Sequence, residues 1–123
     1  MITLLLACAG GLGATSRFVT DTLVARHNPF RIPLGTIVIN ISGSFVLGLV
    51  TGLVALKSAD STAKAVLGTG FCGGYTTFST ASVETARLWV AEGRGTGTRY
   101  AAVTLVASVA AAALGLTLGH LIA

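Results

Sequence analysis

Four long apolar stretches limit this chain to a membrane fold. About 20 apolar residues cross the hydrocarbon core of a bilayer, and each stretch is at least that long. The stretches cover residues 1–23, 33–56, 65–89 and 100–123, and the second and fourth contain no Asp, Glu, Lys or Arg. Because backbone polar groups in lipid must pair within the protein, we predict an all-α membrane protein. It has four transmembrane helices and a single domain, residues 1–123.

The composition supports this class and argues against a soluble enzyme or a nucleic-acid-binding protein. Charged residues make up 10% of the 123 residues and hydrophobic residues 53%, whereas soluble domains carry about 25% charged residues. The basic residues flank the apolar stretches instead of forming one patch. His27 and His120 have no acid or cysteine at a metal-ligand spacing. We therefore expect no catalysis and no nucleic-acid partner.

The distribution of basic residues predicts an orientation. With four spans, the connectors after the first and third spans lie on one side of the membrane. That side has six arginines against two lysines on the other, and basic residues favour the cytoplasm. We expect a multi-pass plasma-membrane protein with extracellular termini. The two sets are Arg17, Arg26, Arg31, Arg87, Arg94 and Arg99 on one side, and Lys57 and Lys64 on the other.

The third stretch contains a segment that is unusual for a membrane helix. Gly73 and Gly74 are followed by four hydroxyl side chains, those of Thr76, Thr77, Ser79 and Thr80. Lipid tolerates non-helical backbone only where it is buried in protein or lines a polar path. We predict that the third helix is broken near its middle, between residues 73 and 77, and that the break binds or passes something small and polar.

Other polar residues in the spans suggest where such a path runs. Asn40 in the second span either forms an interhelical hydrogen bond or donates its amide to an anion. Tyr100, Thr104 and Ser108 recur every four residues, so one face of the fourth helix carries three hydroxyls, unless these bond back to their own helix. The ring of Phe78 can present its electropositive edge to an anion.

Three further features concern charge and packing. Arg17 either extends to the interface or forms an electropositive mouth that concentrates anions. Glu84 is expected to pair with Arg17 or Arg87. Small residues recur every four positions in the second and fourth spans and allow close helix contact, either between subunits or within one. They are Ser44, Gly48 and Gly52, and Gly115 and Gly119.

These motifs together resemble the Fluc/CrcB family of fluoride channels. The resemblance covers nearly the whole chain and rests on Gly13–Phe18 in the first span, on Pro33–Thr36 leading to Asn40, and on Gly70–Thr80. It implies a four-helix subunit that pairs antiparallel into a dimer with two pores. It also implies passive, selective export of cytoplasmic fluoride, which gives fluoride resistance.

The resemblance also implies roles for individual residues. Arg17 would lie at the vestibule. A central structural Na⁺ would be bound by the main-chain carbonyls of Gly73 and Thr76. The residues that would line the fluoride pore are Asn40, Phe78, Thr77, Ser79, Tyr100, Thr104 and Ser108.

Two departures from the family pattern bear on the assembly. Ala81 stands where the family has a second phenylalanine, and Ala112 stands where the polar track ends in a hydroxyl. Because the arginine bias fixes one orientation, we hypothesise an antiparallel heterodimer with a paired homologous subunit, with a homodimer as the alternative. A second alternative is a non-conducting partner subunit. A proton-coupled small multidrug exporter is a further rival, but it needs a carboxylate that residues 4–16 lack.

Overall fold

The computed structural model describes residues 1–57 and 60–123, and these residues form a bundle of helices. Three helices are long and apolar enough to cross a membrane, namely those that start at Ile2, Leu34 and Arg94. The helices are α1 (Ile2–His27), α2 (Leu34–Lys57), α3 (Ser61–Lys64, continued by a π-helical stretch Ala65–Cys72 and a last turn Gly73–Tyr75), α4 (Ser79–Ala91) and α5 (Arg94–Ile122). The predicted all-α class is confirmed for the described residues.

The predicted break in the third span is present, and it begins in the second half of the predicted segment 73–77. Gly73 and Gly74 are helical, and the helix ends at Tyr75. Thr76 adopts an extended backbone, with φ −76° and ψ 160°, and the chain becomes helical again at Ser79. A glycine pair lowers the cost of leaving a helix. The position at which the chain leaves the helix is set by the side chain of Asn40, which provides new hydrogen-bond partners for the backbone of Thr77.

Two connectors also differ from their predicted extents. The glycine-rich segment 90–99, which separates the third and fourth predicted spans, is not a connector throughout, because α5 already begins at Arg94. The chain reverses at Glu92 and at Gly93, whose φ of 99° is a conformation that glycine adopts without steric cost. The predicted connector 57–64 includes residues 58 and 59, which lie outside the described residues, and its last four residues are helical.

The two arginine-rich connectors lie on the same side of the bundle, as predicted. Arg31, between α1 and α2, approaches Glu92, between α4 and α5, with 3.7 Å between Nη1 and Oε1. An exposed ion pair of this kind contributes about 0–1 kcal/mol. The contact therefore identifies the shared side more than it stabilises the fold.

Glycines bring α2 and α5 into backbone contact. A Cβ atom on Gly48 would overlap the carbonyl oxygen of Ala112, and one on Gly52 would overlap Gly119. Gly115 is equally close to α2 from the other helix. The small-residue stripes of the second and fourth spans therefore pack against each other within one subunit, which resolves the two readings in favour of internal packing.

The close contact predicts a large effect from one methyl group. Gly115→Ala places its methyl against the carbonyl of Phe45, and we expect a loss of about 1–3 kcal/mol of unfolding free energy. Gly11→Ala is the matched control, because nothing lies within 4 Å of that position and alanine favours a helix interior by roughly 0.5–1 kcal/mol. Reversible unfolding in bicelles measures both. Equal effects of the two substitutions would contradict the close α2–α5 contact.

Candidate functional site

The side chain of Asn40 holds the break in place. Asn40 lies in α2 and is 9% exposed. Its Nδ2 donates to the carbonyl oxygen of Thr77 at 2.8 Å, and the Thr77 N–H donates to Asn40 Oδ1, also at 2.8 Å. In an uninterrupted helix that N–H would donate to Gly73 O. One amide side chain therefore replaces both helical partners of Thr77, which is the arrangement that a buried backbone requires.

The helix α2 supports the break at two further points. A Cβ atom on Gly43 would overlap the methyl group of Thr76, so glycine is needed for the close approach. Ser42 Oγ lies 3.1 Å from the Tyr75 hydroxyl. The last helical residue before the break and the first extended residue both contact the same face of α2.

Part of the hydroxyl cluster restarts the helix. Thr77 Oγ1 accepts from the Thr80 N–H at 3.1 Å, which is the bond that an N-cap side chain makes three residues ahead. Thr77 Oγ1 also donates to Thr80 Oγ1 at 3.1 Å and lies 3.3 Å from Ser79 Oγ. Thr77 is buried, whereas Ser79 and Thr80 are exposed on the surface of the subunit. The hydroxyls of this cluster thus have structural partners.

A polar cavity of about 210 Å³ lies beside the break. Arg17 is half-buried there, and its Nη1 donates to Thr76 O at 3.4 Å. This contact directs the guanidinium towards the protein interior. The cavity therefore presents a cation, a carboxylate and several hydroxyls to whatever enters it. Its polar lining consists of Arg17, Asp21, Thr36, Thr77 and Thr80.

The hydroxyl face of α5 has three different environments. Tyr100 is 3% exposed and its hydroxyl donates to Glu84 Oε2. Thr104 bonds back to its own helix, with 2.8 Å from Oγ1 to Tyr100 O. Ser108 Oγ is, among the described residues, the one buried side-chain polar atom without a hydrogen-bond partner. An unsatisfied buried group of this kind costs about 1–3 kcal/mol, which makes Ser108 a candidate donor for a ligand.

The expected partner of Glu84 was wrong. The sequence predicted an ion pair with Arg17 or Arg87, whereas the structure pairs Glu84 with the Tyr100 hydroxyl. Arg17 is instead turned to Thr76 O. The packing of α4 on α5 places Glu84 beside Tyr100, whereas Arg17 lies on α1 beside the break and Arg87 is exposed on the surface of α4.

Phe78 lies on the outside of the subunit. Its side chain is 88% exposed and is not among those that line the polar cavity. Gly73 is also exposed, with nothing within 4 Å of a Cβ built on it. The break therefore has an interior side held by Asn40 and an exterior side that carries an aromatic ring.

Some residues at the site were not predicted as site residues from the sequence. Thr36 is 1% exposed and lines the polar cavity. Its spacing of four residues from Asn40 places both on one face of α2, a signal that could have found it. Gly43, Ser42 and Tyr75 lack such a signal, since their contacts join residues more than 30 positions apart.

The main-chain oxygens at the break are compatible with a hard cation. Because the Thr77 N–H is taken by Asn40, Gly73 O is released from its helical bond. Thr76 O accepts only the long contact from Arg17, at 3.4 Å. In the part of the chain that the structure describes, no group of three or more His, Cys, Asp or Glu side chains could hold a metal. Carbonyl oxygens are thus the ligands that this segment offers.

The fold and site define a multi-pass helical membrane protein with a broken helix and buried polar groups beside it. Residues 4–116 match the family model described as CrcB-like protein, Camphor Resistance (CrcB). The chain belongs to this family.

Proteins similar to this chain cover almost its entire length. "Fluoride-specific ion channel FluC 2" of Cutibacterium acnes is 49% identical over 120 residues, which is 96% of this chain and 98% of that protein. "Fluoride-specific ion channel FluC 1" of Leifsonia xyli is 47% identical, over 98% of this chain and 88% of its own length. "Fluoride-specific ion channel FluC 1" of Streptomyces avermitilis is 45% identical, over 87% and 84% respectively.

The bidentate contact between Asn40 and Thr77 predicts a local effect of its removal. Asn40→Leu leaves the Thr77 N–H without its acceptor, and we expect about 1–3 kcal/mol of destabilisation together with faster hydrogen exchange at that amide. Exchange measured by NMR at Thr77 tests this, with the amide of Thr76 as internal reference because it bonds to Cys72 O.

Thr51→Val is the matched control for that substitution. Thr51 lies on the same helix, and its hydroxyl bonds back to Leu47 O at 2.7 Å. We expect normal protection of Thr77 in this variant. Unchanged protection of Thr77 in Asn40→Leu would contradict the contact.

Proposed function

We propose that this chain is a subunit of a fluoride-selective channel that exports cytoplasmic fluoride passively. The observation that carries the proposal is its similarity, over nearly the full length, to proteins named as fluoride-specific ion channels. They are 49% and 47% identical over 96% and 98% of this chain. The plasma membrane is the expected location, with the arginine-rich connectors in the cytoplasm and both termini outside.

The proposed path uses polar groups of the subunit, most of them buried. Fluoride is small and strongly hydrated, so a pore must replace its water with dense donors. The Asn40 amide has a second N–H beyond the one given to Thr77, and Ser108 Oγ has a free donor. Thr77, Ser79, Tyr100 and Thr104 are proposed to complete the polar track, and Arg17 to attract the anion at the vestibule.

The direction of flow follows from the membrane potential. About 2.3 kcal/mol per elementary charge is available for each 100 mV, and a negative cytoplasm drives an anion outwards. Such transport requires neither ATP nor a catalytic residue. The subunit acts by lowering the barrier for the anion and by excluding other ions.

A structural Na⁺ is proposed at the break. Gly73 O and Thr76 O would hold it, and the ion would supply a fixed positive charge that offsets the cost of an anion in a low dielectric. Asn40 contributes indirectly, because its bond to the Thr77 N–H frees Gly73 O. The exposure of Gly73 allows a second subunit to complete the coordination.

An antiparallel dimer with a paired homologous subunit is proposed, and a homodimer is the alternative. Phe78 is 88% exposed at the middle of a span, where a ring that lines a pore needs a facing subunit. Six arginines on one side against two lysines on the other favour a single orientation of this chain. A partner with the reverse charge bias would insert in the opposite orientation, as an antiparallel dimer requires, whereas a second copy of this chain would not.

Two residues favour a second candidate, a subunit that completes a partner's pore without conducting itself. Ala81 offers no aromatic ring, and Ala112 offers no hydroxyl where its backbone meets Gly48. The multidrug exporter is not favoured, because α1 has no acid between Leu4 and Ser16.

Reconstitution tests the channel and its assembly together. We expect this chain with a homologous subunit of opposite charge bias to release fluoride from liposomes faster, by at least tenfold, than either chain alone. A fluoride electrode measures the efflux, and chloride efflux from the same liposomes provides the selectivity control. Robust fluoride efflux from this chain alone would contradict the heterodimer, and none in any combination would contradict the channel.

Phe78 provides the test of the site. We expect Phe78→Ile to slow fluoride efflux roughly three- to tenfold, if the ring edge contributes as much to the anion as it does to a second ring in an aromatic pair, about 0.5–1.5 kcal/mol. Phe30→Ile is the matched control, since that ring is 66% exposed but lies in the connector before α2. Equal rates for Phe78→Ile and the unmodified channel would assign conduction to a pore that does not use this ring.

A further inference from the structure

A second cavity lies at the arginine-rich end of the bundle, away from the break. Its volume is about 220 Å³, and it runs between the start of α2 and the first turns of α5. We refer to it as the interfacial groove. Its lining consists of Ile32, Ile37, Val103, Tyr100, Thr96 and Arg99.

Two markers place this groove at the membrane surface. Arg99 is the last charged residue before the uncharged stretch 100–123. Trp89, a residue type enriched at headgroup level, donates from Nε1 to the Thr98 hydroxyl at 3.2 Å. Val103 follows Arg99 by four residues, which is about 6 Å along the helix. The groove therefore has a charged end at the headgroups and an apolar end in the acyl region.

The lining does not suit a hydrated anion but suits part of a lipid. Ile32, Ile37 and Val103 offer no hydrogen bonds, and the Tyr100 hydroxyl is directed to Glu84. The volume lies below the roughly 300–1,000 Å³ of pockets that enclose a drug-sized ligand. A segment of one acyl chain fits such a space, with the rest of the molecule in the bilayer.

The charges at the polar end select an anionic headgroup. Arg99 is exposed, and among the described residues the only ion pair joins Arg31 and Glu92. The Arg99 guanidinium is therefore available, with the Thr96 hydroxyl beside it as a second donor. We propose that the interfacial groove binds an anionic phospholipid, with its phosphate on Arg99 and Thr96 and an acyl chain along Ile37 and Val103. This inference does not depend on fluoride conduction.

The test measures lipid binding to the full chain in a neutral detergent. Phosphatidylglycerol and phosphatidylcholine are titrated, and bound lipid is counted by native mass spectrometry while thermal stability is followed. We expect preferential binding of phosphatidylglycerol. We expect Arg99→Gln to weaken it about fivefold, since one basic residue near an anionic surface contributes about 1 kcal/mol. Arg99→Lys should recover most of the binding.

Matched controls separate the groove from general surface charge. Arg26→Gln removes an exposed arginine on the same side, in the last turn of α1, and should leave binding unchanged. Val103→Phe fills the apolar end and should reduce binding, whereas Leu105→Phe, at a position 67% exposed outside the groove lining, should not.

Four results would overturn the proposal. They are equal loss in Arg99→Gln and Arg26→Gln, equal binding of the two lipids, competition by millimolar inorganic phosphate alone, and efficient disulfide cross-linking of Val103→Cys chains in liposomes. The first two indicate no specific site, the third a simple anion site, and the fourth a groove covered by a second copy. A lipid-specific loss confined to the Arg99 and Val103 variants supports it.

Discussion

The structure depends on how a membrane-buried backbone is satisfied where its helix stops. In lipid there is no water to bond an exposed N–H or C=O, and each unsatisfied group costs several kcal/mol. Asn40 meets this requirement for both polar groups of Thr77, with two bonds of 2.8 Å. Because the side chain comes from a different helix, the break is an element of tertiary structure, and its position is fixed by α2.

Close packing makes this contact possible. Short side chains on α2 admit α5 on one face, through Gly48 and Gly52, and the break on another, through Gly43. The same helix thus acts as the centre of the bundle, and a shift of α2 would move Asn40 with it. Glycine spacing and the amide position in α2 are two parts of one constraint, since the amide reaches Thr77 only when the backbones lie close together.

The subunit leaves several polar and aromatic groups without partners of its own. Ser108 Oγ is buried without a hydrogen bond, Gly73 O is released by the Asn40 contact, and Phe78 is 88% exposed. In a membrane the two polar groups are unfavourable unless a ligand or another subunit bonds to them, and the exposed ring is open to contact with a facing subunit. The proposed halide would accept a bond from Ser108, the proposed cation would bind Gly73 O, and the proposed opposed subunit would face Phe78.

The sequence by itself determined the all-helical membrane class, the presence of a break and most of its polar residues, because uncharged stretches of about 20 residues and hydroxyl-rich interruptions are local patterns. Only the tertiary structure decided that the chain leaves the helix after Tyr75 and not at the glycine pair, that Glu84 bonds to Tyr100, and that the glycine stripes pack within one subunit. Each of these outcomes depends on which group of a distant helix is within reach. No local pattern contains that distance, since hydrogen bonds and van der Waals contacts act over a few ångströms between residues that the chain separates by tens of positions.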